Sequence, residues 1–293
     1  MSFELIGIVT IVGPEGSCKT SMGLSFPKPL HHLDLDVGGF NRAAWRFDQK
    51  GITSFSFPKP LTAADIAKMR GLPSPDPSIR TVGIPKKIEG SKELWQTIID
   101  RIVASCLDSA VKSIQIDSAT MMYSIGCAAY LQELQEKQLI KWKSDPQTRT
   151  RQFDENDYRE KLQPMEYGNV YERLDRVFHT ARSYKKNLIL IHYPTDEYGK
   201  VSDGRGGLED GKTGKLIIDG YKNTTRESDL VVWTSVKEVI EKGGKKVNKP
   251  IARITKCGIR GMGLDVVGME IPATFEGIAN LRALIVGEET ADA

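Results

Sequence analysis

Nothing in this chain marks a disulfide framework or a structural metal site. Its four cysteines (Cys18, Cys106, Cys127 and Cys257) are scattered without a C-x-x-C pair, and its four histidines complete no metal-ligand spacing. That pattern argues against structural zinc and against a disulfide scaffold, and it fits a reducing, cytoplasmic setting. Long apolar runs are missing too. The stretch from Leu5 to Val12 is too short for a membrane span or a secretory signal, and no basic segment precedes it. A soluble protein without a membrane partner is expected. Net charge is only +3 over 293 residues, so the average says little about partners. The distribution is more informative. From Lys212 to Arg260 there are twelve Lys/Arg against five Asp/Glu, a surplus of seven that leaves the rest of the chain at minus four. A basic C-terminal third suits an anionic partner, and equally a solvated lysine-rich face.

What is present is an alternation of short β-rich runs with helical patterns, the signature of a parallel sheet with crossover helices. "LIGIVTIVG" reads as a buried strand running into a Gly-rich loop, with a helix opening at "KTSMGLSF". "HHLDLD" (His31 to Asp36) reads as the second strand and "RTVGIP" as a weaker third. An amphipathic helix is expected from about Glu93 to Cys106, then buried strands "SIQID" and "NLILIHY". "DLVVWTSV" and "IARITK" are expected as antiparallel additions. The helix in "YGNVYERLDRVFHTARSYKK" puts Val170, Leu174, Val177, Phe178 and Ala181 on one core-facing stripe. Residues 194–215, rich in Gly, Asp and Lys, read as a mobile loop or loose hairpin with a basic character, and "PSPDPS" as a surface linker. No repeat or composition break divides the chain. One α/β domain over residues 1–293 is expected, with a helical insert at about 126–163.

The chemistry starts at "GPEGSCKT", Gly13 to Thr20, a phosphate-binding loop between a predicted strand and a predicted helix. Nine residues would line the nucleotide: Gly13, Pro14, Glu15, Gly16, Ser17, Cys18, Lys19, Thr20 and Ser21. Backbone N–H groups would cradle phosphate oxygens, Lys19 would reach the β- and γ-phosphates of ATP, and the Thr20 hydroxyl would ligate Mg2+. Cys18 stands where the motif has glycine. A small side chain there dents the loop's close approach but keeps its N–H. Asp117, ending "SIQID", is a carboxylate placed to accept a magnesium-bound water, so Thr20 and Asp117 form the expected metal site. Asp34 and Asp36 lie two residues apart, on one side of a strand end. Either would polarise an attacking water, or simply cap the next turn.

The P-loop, a strand ending in a carboxylate soon after the first helix, "IQIDS", and a later strand ending in a polar residue together resemble the RecA-like ATPase core. Within that group the chain most resembles phage- and prophage-encoded ATPases often grouped as AAA-type, including recombinase-like and single-strand-annealing proteins. "LQPMEYGNVYERLDRVF", "NLILIHYPTDEYGK" and "ARITKCGIRG" extend the resemblance over most of the chain, with the P-loop its one sharp motif. The resemblance implies a three-layer fold, slow ATP hydrolysis in DNA recombination, repair or replication, a homo-oligomer, and a bacterial or phage-infected host cytosol. It places Asp36 on the catalytic carboxylate, where the family usually has the longer glutamate, and Asp117 on the second acidic motif. It places His192 on the polar position that senses the γ-phosphate. The following loop, with Lys200, Arg205, Lys212 and Lys215, falls where such proteins contact single-stranded DNA. Lys256 and Arg260 resemble basic residues presented to a neighbour's γ-phosphate. Two other classes share these features: a nucleotide-held switch or scaffold with little hydrolysis, and a P-loop kinase of a small molecule.

Overall fold

Ile8–Val12 is apolar at four of five positions and buried at all five, as a strand covered on both faces must be. It forms β1 in a computed structural model that describes residues 7–44, 48–58, 86–147, 151, 153–154, 157–202, 208–240 and 245–286. Around it lie β2 (Leu30–Asp34), β3 (Ile52–Ser56), β4 (Ser113–Asp117), β5 (Asn187–His192), β8 (Leu230–Ile240), β9 (Lys246–Cys257) and β10 (Glu270–Pro272). The eight strands follow the order β10-β9-β8-β1-β5-β4-β2-β3. All pairs from β8 to β3 are parallel, while β9 is antiparallel to both β8 and β10. A separate antiparallel pair, β6 (Pro194–Ser202) and β7 (Leu208–Ile218), leaves the sheet immediately after β5.

Side chains alternate across this sheet and feed two cores. Ile8, Leu188 and Leu190 face one side, packing on Trp95, Ile98, Met122, Leu174 and Phe178. These come from α3 (Ser91–Leu107), α4 (Ala119–Ser144) and α5 (Tyr167–Ser183). Val9, Ile11, Ile189 and Ile191 face the other side with Met22, Ala43 and Ile278. Those belong to α1 (Lys19–Leu24), α2 (Gly39–Ala44) and α7 (Phe275–Val286); a short α6 (Thr224–Glu227) precedes β8. The result is a mixed α/β architecture: a large, mostly parallel sheet between two helical layers.

Several expectations change. "DLVVWTSV" is parallel to β1, because it returns beside it after a helix-bearing connection; only "IARITK" is antiparallel. "RTVGIP" and "PSPDPS" lie outside the described residues. The third strand is Ile52–Ser56, whose half-exposed, partly polar sequence carries little strand signal. β6 and β7 pair antiparallel, with a bulge between Asp196 and Tyr198, where a mobile loop or loose hairpin was expected. The expected helical insert has no boundary at Gly126, which sits inside α4 where an added Cβ would come within 3.1 Å of Trp95. α4 is capped by the Ser118 side chain, which accepts the Met121 N–H at 3.2 Å. At 26 residues it is about 39 Å long, and its buried positions stop at Gln135. Beyond them Trp142, Phe153 and Tyr158 form a small aromatic cluster, with ring centroids 5.3 Å and 4.8 Å apart.

Candidate nucleotide site at the carboxyl edge of the sheet

Parallel register sets Val12 beside His192 and Trp233, Asp117 beside Ile191, and Asp34 beside Asp117. The last residues of β1, β5, β4 and β2 therefore meet at one edge, where open α/β sheets bind their ligands. The loop Gly13–Thr20 leaves β1 at this edge. Its first glycine is a steric requirement: a Cβ on Gly13 would fall 2.4 Å from Thr234 Oγ1, 2.5 Å from Ser17 Oγ and 2.7 Å from the Thr234 carbonyl oxygen. Thr234 Oγ1 lies 3.2 Å from the Val12 carbonyl oxygen and donates a 2.8 Å hydrogen bond to Ser17 Oγ. Ser17 in turn donates to Pro14 O at 2.8 Å. A threonine on β8 thus braces a loop more than two hundred residues earlier, and no local signal in the sequence announces it. Gly16 has φ +77° and its Cβ position opens on empty space, so the loop presents backbone there. Ser21 is buried in the first turn of α1.

Cys18 adopts φ 67°, ψ 24°, the left-handed conformation that glycine would hold freely. Its departure from the motif therefore acts on backbone strain, beyond the crowding expected from sequence. Lys19 is 6% exposed, its ammonium donating to Pro14 O at 2.7 Å and lying 4.5 Å over the Tyr193 ring. Burial lowers its pKa from the usual lysine value, opposed by the carboxylates of Asp117, Asp36 and Glu15. Thr20 Oγ1 donates to Asp117 Oδ2 at 2.6 Å, joining the two residues expected to share magnesium. Asp34 Oδ1 is buried without a hydrogen-bond partner among the described residues. A Cβ on Gly39 would lie 3.6 Å from that oxygen and 3.4 Å from Asp117 Oδ2, so both carboxylates converge on a bare glycine. The hydroxyl, the paired carboxylate and the orphaned oxygen fit a divalent cation held together with phosphate. No cluster of three His, Cys, Asp or Glu forms a metal site among the described residues, and a P-loop magnesium needs none.

The two β2 carboxylates divide their work. Asp34 Oδ2 accepts the Gly38 N–H at 2.9 Å and the Phe40 N–H at 3.5 Å, capping the next turn. Asp36 lies beyond the strand, accepting from Ser118 Oγ at 3.1 Å and from the Tyr193 hydroxyl at 3.0 Å. Burial raises its carboxyl above the ordinary range, with the Tyr193 hydrogen bond working against that rise. His192 is fully buried and pushed down to about 4, hence neutral near pH 7. Its Nδ1 lies 2.9 Å from the Asp219 carbonyl, which only accepts; Nδ1 therefore carries the hydrogen, and Nε2 is a buried acceptor without a partner among the described residues. Thr120 Oγ1 donates to the same carbonyl at 3.0 Å, and the Asp219 N–H donates to Tyr193 O at 2.9 Å. The roots of the β6–β7 arm are thus tied to the end of β5. Tyr193, Ser118, Thr120, Asp219 and Thr234 were not among the expected site residues.

The basic candidates do not gather here. Lys256 donates to the carbonyls of Thr225, Arg226 and Ser228 at 2.7, 3.0 and 2.7 Å, which engages its three donors at the end of α6. Arg260 is exposed in the turn after β9. On the arm, Lys200 pairs with Asp210 at 3.0 Å and Lys212 with Asp196 at 2.5 Å, Lys215 is exposed, and Arg205 lies outside the described residues. Residues 194–218 hold four Lys/Arg against five Asp/Glu, so the expected basic character of this segment is not there.

Two outcomes follow from this geometry. Cys18→Gly should raise the urea midpoint by an amount worth about 0.5–1 kcal/mol, the left-handed penalty less the added entropy of an unfolded glycine; a loss would mean the side chain holds the loop through its contacts. For His192, a folded pKa of about 4 against an ordinary 6.5 means the unfolded chain takes up the proton first. Stability should then fall as pH drops from 6.5 towards 4, by on the order of 3 kcal/mol from this group. Urea titrations across that window should show a shallower fall for His192→Gln.

No protein-family model matches the chain and no curated protein matches it in sequence, so its own residues carry the functional reading.

Proposed function

We propose that this chain is a magnesium-dependent ATPase of the RecA-like P-loop group. The observation that carries the reading is the meeting of Lys19 and the Thr20–Asp117 pair, 2.6 Å apart, under a loop whose Gly13 admits no side chain. Lys19 would exchange its bond to Pro14 O for phosphate oxygens, a stronger partner for a desolvated ammonium. Thr20 and Asp117 would hold Mg2+, which when bound neutralises charge on the phosphates. Asp36 supplies the carboxylate on the side where water would attack the γ-phosphate. The neutral His192, bonded to Asp219, gives the site a direct mechanical link to the β6–β7 arm.

The arm is the proposed contact with single-stranded DNA, in phage-type recombination, repair or replication by a homo-oligomer. Its lysines are held by exposed ion pairs, each worth about 0–1 kcal/mol, which phosphates can replace. Tyr198 is 69% exposed beside them and offers a stacking face. A second reading, a nucleotide-held switch with little turnover, is favoured by Cys18 in the left-handed conformation and by a short Asp36 whose two oxygens are engaged.

The test measures binding of a fluorescent ATP analogue and phosphate release, with and without single-stranded DNA. The native protein should bind ATP with magnesium and turn over faster with DNA, and Lys19→Ala should lose at least about tenfold in affinity. Absence of ATP binding by the native protein would overturn the reading. Binding without turnover would select the switch, and phosphate transfer answering to a metabolite but not to DNA would select a kinase.

A further inference from the structure

Asp36 is one methylene shorter than a glutamate, and each of its oxygens already accepts a hydrogen bond: Oδ1 from Ser118 at 3.1 Å, Oδ2 from Tyr193 at 3.0 Å. Each oxygen keeps a lone pair, but the short side chain is tied to Ser118 and Tyr193. Tyr193 is better placed. It is the first residue after β5, adjacent to His192, which pairs with Val12 at the entry to the phosphate loop. Its ring lies over the Lys19 ammonium at 4.5 Å while its hydroxyl reaches Asp36, so one side chain spans the lysine and the acid. A phenol that donates to Asp36 keeps oxygen lone pairs to accept from a water. The hydroxyl therefore extends the reach of the short carboxylate by one hydrogen bond.

We propose that Tyr193 is a catalytic residue that takes the hydrogen bond of the attacking water, and that Asp36 acts through it as a positioning carboxylate; this rests on the ATPase reading above. In the step, the water oxygen forms a bond to the γ-phosphorus. The bond from that phosphorus to the β,γ-bridging oxygen breaks, and its electron pair leaves with ADP. One water proton passes to the Tyr193 oxygen as the phenol proton passes to Asp36 Oδ2. Both then shift back, leaving the proton on the phosphate product. The 3.0 Å hydrogen bond from the Tyr193 hydroxyl to Asp36 Oδ2 is the path both shifts follow.

Tyr193→Phe keeps the ring over Lys19 and removes only the hydroxyl. Phosphate release under ATP saturation should fall by about tenfold or more, the scale of a lost proton-transfer group, while affinity for the fluorescent ATP analogue changes by less than about threefold. Adding Asp36→Asn to that variant should slow it by less than about twofold, because the two act in series. A native-like rate in Tyr193→Phe, or independent losses that multiply in the double variant, would overturn this role while leaving the ATPase reading intact. A native protein that binds no ATP, or binds it without turnover, would overturn the ATPase reading and this role with it.

Discussion

A buried ammonium group organises the carboxyl edge of this sheet. Lys19 is 6% exposed, and a lysine charge taken out of water is costly unless its surroundings replace the lost solvation. The chain supplies that replacement from four directions. Pro14 O accepts its hydrogen bond, the Tyr193 ring offers a π face, and the Asp117 and Asp36 carboxylates lower the charge penalty through space. Each is itself held: Pro14 O also receives Ser17, Tyr193 bonds Asp36, and Asp117 receives Thr20. The members come from the carboxyl ends of four strands, β1, β2, β4 and β5, and from the start of α1. In the proposed ATPase the same surroundings would let the cation trade a neutral carbonyl for an anionic phosphate.

The sheet makes this possible by bringing distant residues to one edge. β5 lies between β1 and β4, so the phosphate loop and Asp117 are separated by the strand that ends in His192. The chain then leaves directly from His192 and Tyr193 into the β6–β7 arm and returns at Asp219, bonded to both. The arm is therefore joined to the end of β5 by two hydrogen bonds as well as by the chain itself. In the proposed ATPase this is the route by which a bound polymer and the phosphate site would sense one another.

Much of the scaffold was legible along the sequence. The strand Ile8–Val12, the strand ending in Asp117 and the stripe from Val170 to Ala181 each depend on neighbours within a few residues, and each stands where the sequence pattern placed it. Ile52–Ser56 escaped because an edge strand exposes half its side chains and needs no apolar run. The direction of β8 escaped because burial gives the same pattern for parallel and antiparallel strands. Counting lysines in residues 194–215 suggested a basic loop, yet strand pairing sets Lys200 opposite Asp210, and Lys212 forms an ion pair with Asp196 across the bulge. Lys256 likewise looked available until its position on β9 brought it to the end of α6.

By itself the sequence determined the α/β class, the strand running into the Gly13–Thr20 loop and the strand ending in Asp117, because those rest on local spacing and burial. Only the tertiary structure decided that Thr234 braces Gly13, that Tyr193 bridges Lys19 and Asp36, and that Asp34 caps a turn while Asp36 faces the site. Those contacts join residues on separate strands, and strand order and register are settled by the packing of the whole sheet rather than by any segment of it.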